Sequence, residues 1–171
     1  MKTIIQDNIN TCKLPDLQKK LNTSSIIISI ILIIFAAAMF YFSQVKQSDI
    51  ITSTEIFFGI VAICAAAYML GWQRSKLINT ETGSVVSKDR IFYNPVDLYG
   101  IKAALEEENF EAFVGFRRQQ EGNIQTVFYF SADHNYIAIQ VFKYEPFEYK
   151  QQSDIYIFKD VKAMKLIEKM M

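Results

Sequence analysis

Two stretches without a charged residue constrain this chain more than any other feature. The first, SIIISIILIIFAAAMFYF, runs from Ser25 to Phe42, and the second, IFFGIVAICAAAYMLGW, from Ile56 to Trp72. A helix needs about 20 residues to cross the hydrocarbon core of a bilayer, with about 17 as the lower limit, and both runs reach it. Phe40, Tyr41 and Phe42 close the first and Trp72 closes the second, endings suited to the headgroup region. A chain of 171 residues has too little other mass to surround two such helices with soluble core. Ala36 and Ala38 have the spacing a signal peptidase accepts, but the apolar run continues to Phe42 and a second follows, so an uncleaved anchor is expected.

Orientation follows from the basic residues. Lys2, Lys13, Lys19 and Lys20 precede the first span, only Lys46 lies between the spans, and Arg74 and Lys76 follow the second. The positive-inside bias then places both termini in the cytoplasm and makes the protein a multi-pass component of the inner cell membrane. Neither span has an interior ionisable residue, so conduction or pumping has no support. Helices in lipid associate through small residues. Gly59, Ala62, Ala66, Ala67 and Gly71 form the candidate helix-packing face, for the other span, for a membrane protein partner or for a second copy in a homo-oligomer. Residues 1–24 read as a cytoplasmic tail in which KLPDLQKKL, Lys13 to Leu21, is either an interfacial helix or disordered; as a helix it gathers Leu14, Leu17 and Leu21 on one face, with Pro15 in its first turn.

From residue 73 to 171 the periodicity changes to short alternating runs. Thr80–Gly83 is a turn signal, Val85–Tyr93 a strand, and Asn94-Pro95 the start of a helix reaching about Glu108, with Leu98, Ile101 and Leu105 on one face. Phe110–Arg118, Ile124–Phe130, Tyr136–Tyr144 and Ile155–Phe158 read as strands, the third apolar on both faces and therefore central. Asp160 caps a closing helix whose apolar face is Val161, Met164, Ile167 and Met171. The expected fold is a membrane α-helical hairpin, spans 25–42 and 56–72 within 25–72, followed by a small α+β domain with an antiparallel sheet and two helices.

The domain carries 13 basic and 14 acidic residues, a balance that gives no field for nucleic acid. Phe113, Gly115 and Phe116 before Arg117 and Arg118 lack the glycine order of RNA-binding sheets. Cys12 and Cys64 lie outside the domain, and His134, the one histidine, sits in the turn Ser131–Asn135. No glycine-rich phosphate loop, cofactor motif or metal-ligand spacing is present. Glu106, Glu107, Glu108 and Glu111 read as a solvated helix end in preference to a metal site. No catalytic constellation emerges; Glu145 and Glu148 are the only candidates for an enzyme reading.

What stands out is the segment Tyr144–Tyr149. Pro146 breaks the strand pattern and leaves aromatic rings for solvent or a partner, so Tyr144, Phe147 and Tyr149 are the candidate partner surface. The leading expectation is thus a membrane-anchored accessory or interaction module whose partners are the lipid bilayer and a membrane protein or second copy, with no nucleic acid. The alternative is a tethered sensor of a small apolar ligand, with a cavity lined by Phe128, Phe130, Phe142 and Tyr144. A membrane hairpin followed by a β-rich domain resembles the layout of bacterial membrane-anchored pleckstrin-like proteins, while the helix at Leu98–Glu108, placed before the main meander, departs from it.

Overall fold

The computed structural model describes residue 14 and residues 16–45 and 49–170, with the backbone alone for 49–51. These form two compact units. One is Lys19–Lys76, and the other joins the described residues up to Gln18 to those from Leu77 onward.

The first unit is a pair of long helices, α1 (Thr23–Val45) and α2 (Asp49–Trp72), of 23 and 24 residues. Both are long and apolar enough to cross a membrane. Each exceeds its uncharged run; at the ends of α1 the Asn22 carbonyl accepts from Ile26 N–H at 3.1 Å and Ser43 Oγ donates to the Phe40 carbonyl at 2.8 Å. The seam between them is built from small groups. Ser25, Ser29 and Ala36 of α1 are buried, as are Ala62 and Ala66 of α2. Ser29 Oγ satisfies itself on the Ser25 carbonyl at 2.7 Å, and the Phe40 ring lies where a side chain on Gly59 would begin, 3.0 Å from an added Cβ.

Strand β1 (Leu17–Leu21) precedes α1 and strand β2 (Ser75–Asn79) follows α2, and the two pair. Asn22 N–H donates to Arg74 O and Thr80 N–H to Asp16 O, both at 2.8 Å, so the ladder is bracketed at each end and runs antiparallel. Leu17–Leu21 is therefore a strand, neither the interfacial helix nor the disordered segment expected of Lys13–Leu21. A nine-residue helix is too short to be stable alone, whereas extended backbone lets Leu17–Leu21 pair with β2. Cys12, Lys13, Pro15 and Lys46 lie outside the described residues.

The second unit is built on an antiparallel sheet of β3 (Val86–Tyr93), β4 (Ile124–Ser131), β5 (Tyr136–Glu145), β6 (Glu148–Gln151) and β7 (Tyr156–Lys159). The order is β3-β4-β5, and the far edge of β5 is shared: β7 pairs with Tyr136–Ile139 and β6 with Phe142–Glu145. Between them, at Gln140 and Val141, Ser153 supplies contacts on this edge. Its carbonyl accepts from Gln140 Nε2 at 3.1 Å and its hydroxyl accepts from Val141 N–H at 3.0 Å. Strand β5 is central as expected, buried without interruption from Tyr136 to Phe142.

One sheet face, with Ile124, Phe128, Ile137, Ile139, Val141 and Phe158, packs against helices α3 (Leu98–Glu106), α4 (Phe110–Gly115) and α5 (Asp160–Met170). The Asn94 side chain accepts from Val96 N–H at 3.2 Å and opens a 3-10 turn, Pro95–Asp97, ahead of α3. Two corrections fall on this face. Phe110–Gly115 is helical, not a strand: Asn109 Oδ1 accepts from Ala112 N–H at 3.1 Å as an N-cap, and the turn so started buries Phe113 with Phe110 and Val114 beside it. Among the described residues the domain therefore has three α-helices, not two. In α5 the buried residues are Ala163, Leu166 and Ile167, while Val161 and Met164 face solvent; Met171 lies outside the described residues. The opposite face, with Val86, Val127, Tyr129, Tyr136, Ala138 and Phe142, is covered by Leu14 and Leu17 with Leu77, Ile155 and Ile157.

Candidate functional site

Toward the β5–β6 turn the second face continues as a row of rings. Tyr144 and Tyr149 stand directly opposite across the hairpin, 5.3 Å apart and edge to face, and Phe92 lies 6.4 Å from Tyr149. The Tyr149 hydroxyl donates to the Gly122 carbonyl at 2.8 Å, and Tyr144 N–H donates to the Asn123 carbonyl at 2.6 Å. These bonds dock the Gln119–Asn123 loop against the hairpin. Gly122 is required there, because a Cβ would come within 2.6 Å of the Tyr93 carbonyl. Tyr144 and Tyr149 are thus held, at 44% and 38% exposure.

Phe147 differs from both. Glu145 pairs with Glu148, so Pro146 and Phe147 alone turn the chain. Pro146 suits the first corner with its fixed φ, and Phe147 takes the second at φ 78°, a left-handed conformation that favours glycine or asparagine. A bulky side chain there costs about 1–2 kcal/mol, and Phe147 recovers none of it by packing, since it is 96% exposed. The turn thus holds a large apolar ring in water on unfavourable backbone.

The charges beside the turn are compensated. Lys150 Nζ lies 2.5 Å from Glu145 and 3.9 Å from Glu148, and its pKa is raised chiefly by the hydrogen bond to Glu145. The two carboxylates that an enzyme reading would use are brought together, around this ammonium. Three of the four glutamates near the end of α3 take separate partners: Glu106 accepts from the Tyr156 hydroxyl at 3.0 Å, while Glu108 and Glu111 meet Lys162 and Lys169 of α5, each at 2.6 Å. Burial first, then Glu106, pushes the Tyr156 phenol up to about 12. Tyr156 and Glu106 also line an open groove of about 320 Å³ with Lys102, Gln152, Ser153 and Asp154, a feature that no local sequence pattern announces. His134 occupies the β4–β5 turn at φ 60°.

The cavity expected for an apolar ligand does not form as proposed. Phe128 and Phe130 point to the helix-covered face, Phe142 and Tyr144 to the other, since register pairs Phe128 with Ile139 and Phe142 with Gln125. Phe130 instead borders a hollow of about 70 Å³ with Ile91, Ile137, Ile167 and Met170, at whose rim stand Asp89 and Arg118; it would hold about two water molecules. In the helix pair, Gly59, Ala62 and Ala66 face the seam, whereas Ala67 and Gly71 are exposed, with nothing within 4 Å of a Cβ added to Gly71. Comparison of this chain with protein-family models, with curated proteins and with solved structures finds no match.

Proposed function

We propose that this chain is a membrane-anchored interaction module, in which α1 and α2 cross the bilayer and the α+β unit presents the β5–β6 turn to a protein partner. At 1.5 Å per residue each helix extends about 35 Å, against a hydrocarbon core of about 30 Å. Ile31, Ile34 and Phe57 are examples of the large apolar side chains that point outward along them. The cations Lys19, Lys20, Arg74 and Lys76 at the open end of the hairpin, against Lys46 in the link, support a cytoplasmic placement of both termini.

The observation that carries the interaction reading is Phe147. An exposed ring on a backbone conformation that penalises it has no folding rationale, and strain of this kind collects at sites that bind. Phe147→Gly relieves the backbone and deletes the ring. Intact wild-type and Phe147→Gly proteins, purified from their own membranes in mild detergent, provide the test. A stoichiometric partner present with the first and absent from the second supports docking at the turn. A partner retained by the variant removes Phe147 from the interface, and a chain that purifies alone in both forms overturns the module reading.

A further inference from the structure

The β1–β2 ladder gathers cations from the chain just before α1 and just after α2. Its bracketing bonds match Asn22 with Arg74 and Asp16 with Thr80, so Lys20 stands opposite Lys76, and Arg74 is the next residue on the same face. Lys20 and Arg74 are exposed and Lys76 is half-buried. No carboxylate occurs on either strand, nor among residues 22–24 and 72–74 beside them. Like charges placed directly opposite destabilise a strand pair, and an anion seated over the three would reverse that effect.

We propose that Lys20, Arg74 and Lys76 form a binding face for the headgroups of anionic phospholipids. The argument rests on the membrane reading above and adds the lipid class. Two features favour a lipid over a soluble anion. The apolar surface of α2 runs directly into this face, and it ends in Trp72, 81% exposed, with Tyr68 stacked on it at 5.9 Å, the kind of aromatic pair that settles at headgroup level. A cation near an anionic surface is worth about fivefold in affinity, so three cations give a preference well above that of one.

Trp72 is the only tryptophan in the chain and reports on this location alone. The intact protein is reconstituted into two vesicle mixtures of phosphatidylglycerol and phosphatidylcholine in the same ratio, with bromine on the acyl chains of one lipid or of the other. The expected result is quenching of Trp72 by brominated phosphatidylglycerol at least fivefold more effective per lipid than by brominated phosphatidylcholine. The preference should fall toward parity in the K20Q, R74Q, K76Q triple variant. In the wild type, raising the salt from 0.01 to 1 M should also reduce it, as the screening length falls from roughly 30 to 3 Å. Equal quenching in both mixtures overturns the proposal, as does a preference that survives high salt, and a preference kept by the triple variant removes these residues from the site. No quenching by either lipid instead overturns the membrane reading itself.

Discussion

The two faces of the central sheet are covered by different means. Helices α3, α4 and α5 cover one with Leu98, Ile101, Leu105, Phe113, Leu166 and Ile167, and each lies next to a sheet strand in the chain. The other face relies on Leu14 and Leu17, which come from before the helix pair. The second cover must close a loop of roughly 60 residues, at an entropic cost that grows only slowly with length. Its anchors are specific: Leu14 and Leu17 are nearly fully buried, Asp16 forms an ion pair with Lys159, and the Asp16 carbonyl accepts from Thr80 N–H at 2.8 Å. The comparison teaches that the globular unit is completed by chain from both sides of the apolar helices, so its fold is not contained in the residues that follow them.

The strongest way to break this comparison is to remove the second cover. A fragment beginning at Leu77 keeps every helix of the first face and loses Leu14, Asp16 and Leu17. Burying a leucine side chain contributes about 1.5–3 kcal/mol, and a domain's whole stability is about 5–15 kcal/mol, so the fragment should unfold without cooperativity and bind a hydrophobic dye. Cooperative unfolding at the midpoint of the intact protein would show the cover to be dispensable. A matched pair of cavities follows in size. Leu17→Ala and Leu166→Ala each remove a buried leucine, and each should cost about 2–5 kcal/mol in denaturant unfolding of the intact chain. Leu17→Ala belongs at the lower end, because a single short segment relaxes more readily than a helix held at both ends. A cost near zero for Leu17→Ala alone would mean that the N-terminal segment merely rests on the sheet.

The same contrast explains what could be read from the sequence. Apolar periodicity located β3, β4, β5 and α3, and the Asn94-Pro95 start, because those signals are local. The cover by Leu14 and Leu17 was hidden: LQKKL has no alternation, and its strand exists only through pairing with β2 far along the chain. Phe110–Gly115 did carry a helical signal, since Phe110, Phe113 and Val114 lie three and four apart behind Asn109, but its aromatic content suggested a strand. In α5 the polar Lys162 and Lys165 flank Ala163, and a small residue at the centre of a buried face lends little weight to a pattern built on large ones. The candidate rings Tyr144, Phe147 and Tyr149 were visible through Pro146; the left-handed φ that separates Phe147 from its neighbours depends on the two-residue turn and could not be read from residue types.

Where the second face runs out, at the hairpin, stability and display should oppose each other. Phe147→Gly should stabilise the domain by about 1 kcal/mol, by relieving the left-handed strain, measured as a rise in the unfolding midpoint. Destabilisation would mean that the ring makes a packing contribution, contrary to its 96% exposure.

The smallest effect separates the two faces by pH. Asp133, in the β4–β5 turn, ties that turn to the one after β2: its N–H donates to Ser84 Oγ at 3.1 Å, and Ala132 N–H donates to Val85 O at 2.8 Å. Desolvation raises its pKa, but hydrogen bonds from Ser131, Thr82 and Asn135 outweigh that and hold it at about 2. The folded value lies below the unfolded one of about 3.9, so this stabilisation is complete above about pH 4 and is lost as the pH falls through about 2. The group is largely solvated, so the change should be local. Amide exchange of Ala132 and Asp133 should accelerate between pH 4 and pH 2, beyond the intrinsic pH dependence, while Leu166 and Ile167 in α5 keep their protection. Asp133→Asn should abolish the difference between the two regions. Loss of protection in α5 at the same pH would mean that the turn couples to both faces, and the domain would then respond to acid as one cooperative body.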